Sequence, residues 1–545
     1  MKGVIEMSHH IKERIIVFLF PILLALPFLN RAYFVDDSYF VQIGSWLKDN
    51  PGQPYHFRAD DAGINTRGWE EDGLVRMVNP LVHHYYLAIL MKTGSNKEWF
   101  LRLGCVLLSC FAALFLFGLA RRLTENPFLA TLLVLVTPVH WLTSYSLLID
   151  STLSFFFFGG LYFFIKAIEK DHIGTFVISG IFMGLGILTK YPGVFVLPLT
   201  ALWTILRWKK IGHRWRVGIP WVLALVFLGA FNLWTMKLYG QAHILAASQR
   251  MVHLFGWAKP FVFLVFLSGV CFFPVFIWKL TTKKMILFGG FIVSVVMIIF
   301  SSSLGGFSLF QGFLYGFFFA SSILFLIHMG MIWKKYVFPR DFFLVLWILG
   351  FVLMMMVVMG WVAARYYMIV VPAVVFLTIR FIEMEWRGHE RAILKGLLAF
   401  ALFFTSLLAY ADYKQADPSR DVGSKLTSAG YAGGAGHYYM GDSFTMAYLR
   451  SEGWIPWFPG TEFEKGDRIL TKTVTMPPIY RWREKVDLKL IKTFEYNTRY
   501  PLKVMDFRGS AGFYASLWGG LPFSFSTGPW ERFVLFEVVG IKTKK

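Results

Sequence analysis

Apolar runs close to twenty residues long recur through this chain, beginning with IIVFLFPILLALPFL and returning at short intervals as far as residue 410. Coiled as a helix, such a run spans a hydrocarbon core roughly 30 Å thick. Lipid offers no water to an unpaired backbone amide or carbonyl, so a spanning run must satisfy its backbone internally as a helix. That feature restricts the fold class to a polytopic α-helical membrane protein. The charge content agrees: 16% of the 545 residues are charged, against about 25% in an ordinary soluble domain.

Spans are predicted over 15–31, 99–119, 127–144, 151–168, 172–189, 193–207, 217–236, 260–278, 286–303, 312–333, 342–362, 368–385 and 393–410. With about thirteen crossings, each long enough to traverse the bilayer, the two termini fall on opposite sides. The formal net charge of +21 invites a nucleic-acid reading, but its distribution opposes one. Basic residues concentrate in the short connections ARRLTENP, RWKKIGHRWR, KLTTKK, KKYVFPR and IRFIEMEWRGHERAILK, all on the side of the N-terminal MSHHIKER. Lys and Arg in short loops mark the cytoplasmic side. No nucleic-acid partner is therefore expected. The N-terminal segment, with LNRAYF and no small-residue cleavage pattern, reads as a retained anchor. Cys105, Cys110 and Cys271 fall in spans and outline no disulfide framework.

The opposite, exterior face receives residues 32–98 and everything after 410. Within 32–98, VNPLVHHYYLAILMKTG suits an amphipathic helix lying at the interface. Residues 411–545 lose hydrophobicity and gain turn residues, and strand-like alternation appears in GDRILTKTVTM, KLIKTFEYN and ERFVLFEVVGI. The expected organisation is a transmembrane catalytic domain over 1–410 and a small exterior α/β domain over 411–545.

Ionisable residues at the ends of spans are functional candidates, because burying them is costly. Most lie on the exterior face. Asp36 and Asp37 follow span 1, Asp150 opens span 4, Lys190 ends span 5, Arg250 lies after span 7 with His243 and His253, and Arg365 precedes Tyr366 and Tyr367 between spans 11 and 12. Together they describe an outward-opening cavity, acidic on one side and basic on the other. A carboxylate there can act as a general base, and Arg or Lys can bind a phosphate headgroup. Each residue also has a plainer reading. The aspartates could cap helices, Lys190 could snorkel to the headgroups, and Arg365 could anchor the interface beside its tyrosines. His83 and His84 fit the interfacial helix better than a metal site, and the glycines of GIFMGLGIL read as close-packing positions.

Several stretches, taken in order, resemble a known family. VDDSYF, NPLVHHYYLA, NKEWFLRLGCVL, LLIDSTLSFFFFGGLYFF, GLGILTKYPGVFVLP and ARYYMIVVPAVVFL are similar to motifs of the GT-C membrane glycosyltransferases, in the protein O-mannosyltransferase-like and lipid A aminoarabinose transferase-like branch. The resemblance covers about the first 400 residues. It implies an inverting transfer from a polyprenyl-phosphate sugar, such as an undecaprenyl-phosphate one, to a hydroxyl or phosphate on a lipid, glycan or protein. By position it makes Asp36 the base and Asp150 a second functional carboxylate, and it puts Lys190, Arg250, Arg365 and Tyr366 near the donor phosphate. Asp37 stands where many members have Glu. Asn79 replaces a lysine that some relatives carry, a place Arg76 could fill. Asn79, His83, His84, His243 and His253 are the remaining loop and acceptor candidates. No cofactor is required, although some relatives hold a divalent metal in this region, for which Glu70 or Glu71 with His243 or His253 would be the ligands. The implied location is a bacterial inner membrane with the site facing the periplasm. A transporter or flippase of lipid-linked sugars, or an O-antigen ligase or polymerase, is the alternative; the first is opposed by the absence of matched inverted repeats and by charges gathered on one face, the second by the acid pair directly after span 1.

Overall fold

In the computed structural model, the described residues are 2–56, 78–251, 258–272, 276, 278, 282–303, 309–335, 339–358, 360–457, 461–475 and 486–542. Among them, six helices are long and apolar enough to cross a membrane: Glu98–Leu123, Ile149–Lys170, Arg214–Tyr239, Leu309–Met331, Pro339–Val357 and Glu390–Ser428. A seventh crossing exists if Pro127–Leu135 and Pro138–Ser144, bent by 64°, form one span. The bend falls at Thr137–Pro138. Proline supplies no amide to the helix ladder and forces the residue before it toward extended backbone, and Thr137 sits at φ −63°, ψ 147°.

Other apolar runs form shorter pieces. The run at 15–31 is carried by Lys2–Ala25 and then a 3-10 turn, Leu26–Phe28. Around Pro192 the chain makes a 3-10 turn, Tyr191–Phe195, before the helix Val196–Arg207. Residues 364–369 form a further 3-10 turn ahead of the helix Val371–Glu385. These breaks matter because they leave Lys190 and Arg365 on irregular backbone between helices.

The glycines of GIFMGLGIL do let helices approach. A Cβ built on Gly180 would lie 2.9 Å from the Pro220 Cα, and one on Gly184 would lie 2.8 Å from the Phe227 ring. At the far end of Val371–Glu385 from Arg365, the Arg380 guanidinium joins Asp341 (3.1 Å), Glu383 (2.7 Å) and Glu125 (3.0 Å), tying three helix ends together.

The helix Glu390–Ser428 runs 39 residues, through the boundary expected near 410. Its first half exposes Phe400, Phe403 and Tyr410, while its second half buries Asp412, Gln415, Ser419 and Val422. Among the described residues it leads into nine strands: β1 (His437–Met440), β2 (Ile455–Pro456), β3 (Arg468–Lys472), β4 (Val486–Glu495), β5 (Leu502–Lys503), β6 (Met505–Asp506), β7 (Ala511–Gly512), β8 (Ser524–Phe525) and β9 (Arg532–Ile541). Five of these form a mixed sheet in the order β2-β1-β3-β9-β4. The pairs β1/β2 and β1/β3 are parallel; β3/β9 and β4/β9 are antiparallel. All three strand-like stretches expected from the sequence are strands. The helix Ser443–Leu449 covers the sheet and is capped by Asp442, which accepts from the Thr445 amide at 2.7 Å. Its Met446 and Leu449 pack with Tyr439, Leu470, Phe533 and Leu535 in the small core of this unit.

Candidate active site

Four charged side chains predicted from distant parts of the chain meet at one place. Asp36 stands between the first helix and the helix Asp37–Asp49, where Val35 takes a left-handed φ of 53°. A β-branched residue is strained there, and strain of this kind persists only where the surroundings over-determine it. Although Asp36 holds the N-cap position, its side chain makes no capping bond. Its Oδ2 instead meets the Arg365 Nη2 at 2.8 Å. The Arg365 Nε lies 3.7 Å from the Asp150 Oδ2, and the Lys190 Nζ donates to the Asp150 Oδ1 at 2.7 Å.

Tyr366 provides an aromatic wall. Lys190 Nζ is 4.4 Å from its ring centroid and the Arg365 Cζ 5.6 Å, within range of a cation–π attraction. Asp150, Lys190, Arg365 and Tyr366 are buried, whereas the Asp36 side chain is 41% exposed. Lys190 therefore does not snorkel to the headgroups, and Asp150, already inside the first turn of a helix that starts from Leu148, makes no cap. Arg365 keeps buried donor capacity: its Nε and Nη1 have no hydrogen-bond partner among the described residues. The cluster has two acids and two cations, with one acid, Asp36, on the open side.

Asp37 belongs to a different constellation. Completely buried, it accepts from the Phe34 amide (3.2 Å) and the Leu147 amide (2.9 Å), and it pairs with Arg102 (2.9 Å) and Arg31 (3.4 Å). Arg102 also donates to the carbonyls of Arg31, Ala32 and Tyr145. Arg31 continues to Asp412 and Tyr514, and Asp412 in turn accepts from the hydroxyls of Tyr145 (2.9 Å) and Tyr514 (2.8 Å). Of these, Arg31, Arg102, Tyr145, Asp412 and Tyr514 were not among the sequence candidates. Arg102 had a signal, being a charge inside an apolar span; Asp412 and Arg31 flank the last and first spans in the same way as the residues that were selected.

The histidines do not join the four charged groups. His83 is buried between the Leu147 carbonyl (2.9 Å to Nε2, which must donate) and the Thr152 hydroxyl (2.8 Å to Nδ1). His84 is buried against Phe40 and His83. The His243 Nδ1 meets the Tyr191 hydroxyl at 2.6 Å and its ring stacks on Tyr55. Asn79 is half-buried three residues before the helix Val82–Thr93. The Arg250 side chain, Arg76, Glu70, Glu71 and His253 lie outside the described residues. Among the described residues no three His, Cys, Asp or Glu gather as a metal-binding set. His243 faces tyrosines rather than further ligands, so the residues described do not form a metal site and no step is routed through one.

Residues 78–235 match the family described as dolichyl-phosphate-mannose-protein mannosyltransferase. The matched segment carries Asp150 and Lys190 and makes up less than half of the chain. No curated protein matches the chain by sequence. By structure it is similar to ArnT from Cupriavidus metallidurans in the apo state, at 14% identity and a TM-score of 0.42, covering 99% of each chain. It is also similar to that protein's crystal structure bound to undecaprenyl phosphate, at 14% identity and a TM-score of 0.43, covering 97% of this chain and 99% of the other. The family match, on a chain of membrane-length helices, makes this chain similar to membrane-embedded enzymes that transfer sugars.

Proposed function

We propose that the chain transfers a sugar from a polyprenyl-phosphate carrier, undecaprenyl phosphate in a bacterium, to a hydroxyl or phosphate on a lipid, glycan or protein. One observation carries this reading: Asp36, Asp150, Lys190 and Arg365, far apart in sequence, form one cluster with a carboxylate at its mouth and unpaired guanidinium donors behind it. Arg365 and Lys190 bind the donor phosphate and stabilise its charge as the sugar leaves, and Tyr366 lines that pocket. Asp36 takes the proton from the attacking hydroxyl. Asp150 holds Lys190 and Arg365 in place. The acceptor oxygen forms the new glycosidic bond at the anomeric carbon as the bond to the phosphate oxygen breaks, inverting that carbon in a single displacement.

The basic connections support a cytoplasmic assignment for the opposite membrane face. On that basis the site and residues 411–545 face the periplasm of an inner membrane. The test is transfer from a radiolabelled polyprenyl-phosphate sugar in proteoliposomes, with envelope extracts as acceptor. Wild type transfers label and Arg365→Gln does not. Equal transfer by both would refute the assignment.

A further inference from the structure

The segment 513–516, in the unit that follows the last long helix, touches two of the segments that build the cluster, those of Arg365 and Asp36. On the Arg365 side, the Phe513 carbonyl accepts from the Ala364 amide (2.8 Å), the Ser516 amide donates to the Val362 carbonyl (2.7 Å), and the Ser516 hydroxyl accepts from the Val362 amide (3.0 Å). On the Asp36 side, the Tyr514 hydroxyl accepts from the Arg31 Nη2 (3.2 Å) and donates to Asp412 (2.8 Å). Arg31 is gripped by Asp412 through Nε (3.0 Å) and Nη2 (3.2 Å), and it reaches Asp37, the residue next to Asp36. Two further bonds pin the same loop: the Tyr33 amide to the Tyr448 hydroxyl (2.7 Å) and Ser38 to Ser443 (3.3 Å).

The strained φ of Val35 therefore has an identifiable cause. The Asp37 carboxylate holds the Phe34 amide of its own loop and the Leu147 amide of the segment ahead of Asp150, and Arg31 links that hold to Asp412 and Tyr514. We propose that Tyr514 and Asp412 are positioning residues for Asp36, setting its approach to Arg365 through Arg31 and Asp37. The C-terminal unit is then a part of the active site's frame. This rests on the donor-phosphate reading of Arg365 given above.

A loosened Asp36 competes less well for Arg365, so a variant that disturbs only its position should bind the donor headgroup more tightly while turning over more slowly. Structural damage would weaken both. Tyr514→Phe removes the hydroxyl but keeps the ring that meets Phe34 and Phe513 edge-on at 5.7 and 5.1 Å. In the full chain, calorimetric titration with a short-chain polyprenyl phosphate should give a Kd lower by about two- to fivefold, and kcat should fall about tenfold or more, because a misplacement of an ångström is enough to do so. In an Asp36→Asn background the same substitution should leave Kd unchanged, since the group being positioned is gone. Weaker or unaltered binding by Tyr514→Phe, or an equal shift in both backgrounds, would overturn the proposal. Arg365→Gln separates the two layers: if it leaves binding intact, the phosphate reading itself falls, whereas if it abolishes binding and the cycle is additive, only the positioning role falls.

Discussion

Under the proposed function, Asp36→Asn should separate binding from chemistry. The Asp36 carboxylate lies 2.8 Å from the Arg365 guanidinium nitrogen, the contact a donor phosphate would have to claim. Two charge centres about 4 Å apart attract by about 4 kcal/mol at an effective dielectric near 20. The Asp36 side chain is 41% exposed, so water and salt screen the pair toward the value of a surface ion pair, about 1 kcal/mol. Removing the charge at nearly constant volume releases Arg365 by that amount, and donor affinity should rise about fivefold. Transfer should nevertheless fall by about 10²- to 10⁴-fold, the usual contribution of a positioned base. Calorimetric titration with a polyprenyl phosphate reads the first quantity, and single-turnover transfer from a labelled donor reads the second. A variant that binds donor more weakly than wild type, or that keeps full transfer, would refute the reasoning.

Four further outcomes follow from the geometry. Arg365→Gln deletes hydrogen bonds of the charged kind, worth about 1.5–3 kcal/mol, and should weaken donor binding about 10- to 100-fold in the same titration. Asp37→Asn leaves Arg31 and Arg102 buried without their shared carboxylate; a loss of about 3–5 kcal/mol should show as a collapse of the thermal midpoint. Gly180→Leu drives a side chain into Pro220, already 2.9 Å from a bare Cβ, and should cost about 1–3 kcal/mol by the same measure. Lys503 gives a pH test: it is fully buried over the Trp530 ring, and burial pulls its ammonium down from 10.5 to about 8, with Asp506 opposing. Between those values the unfolded chain keeps a proton that the folded one has shed, so stability rises with pH. Lys503→Met should be the more stable protein at pH 7, and its advantage should shrink from pH 8 to 10.5.

What the sequence revealed and what it hid divide along a physical line. Asp36, Asp150, Lys190 and Arg365 were legible because a charge beside an apolar run is costly, so its presence signals a partner. The same rule applied to Arg102 and Asp412, but their partners are a carboxylate adjacent to Asp36 and an arginine 381 positions away. One-dimensional spacing gives no sign of such pairs. The role of Asp37 was hidden for the same reason: two neighbouring acids look alike until the left-handed Val35 turns one toward Arg365 and its neighbour toward Arg31. Strands β3, β4 and β9 were readable from their alternation, while β1 and the two-residue strands, short and bounded by turns, were not. Apolar runs predicted helices well, and the 3-10 turns around Pro192 and at Ala364–Ile369 fall at the charged gaps between expected spans, whereas Pro138 breaks a helix inside the unbroken apolar run 127–144.

The long helix Glu390–Ser428 carries Asp412 from the lipid-facing half into the half that grips Arg31. A helix advances about 1.5 Å and turns about 100° with each residue, so the number of residues before Asp412 sets a rotational phase as well as a length. One alanine inserted after Tyr410 would swing Asp412 about 100° away from Arg31, whereas four would return it to within about 40° of its original heading, about 6 Å further along. Natural or engineered exchange of the C-terminal unit between relatives should therefore succeed only in steps near whole helical turns, and the tolerated lengths would form a periodic series.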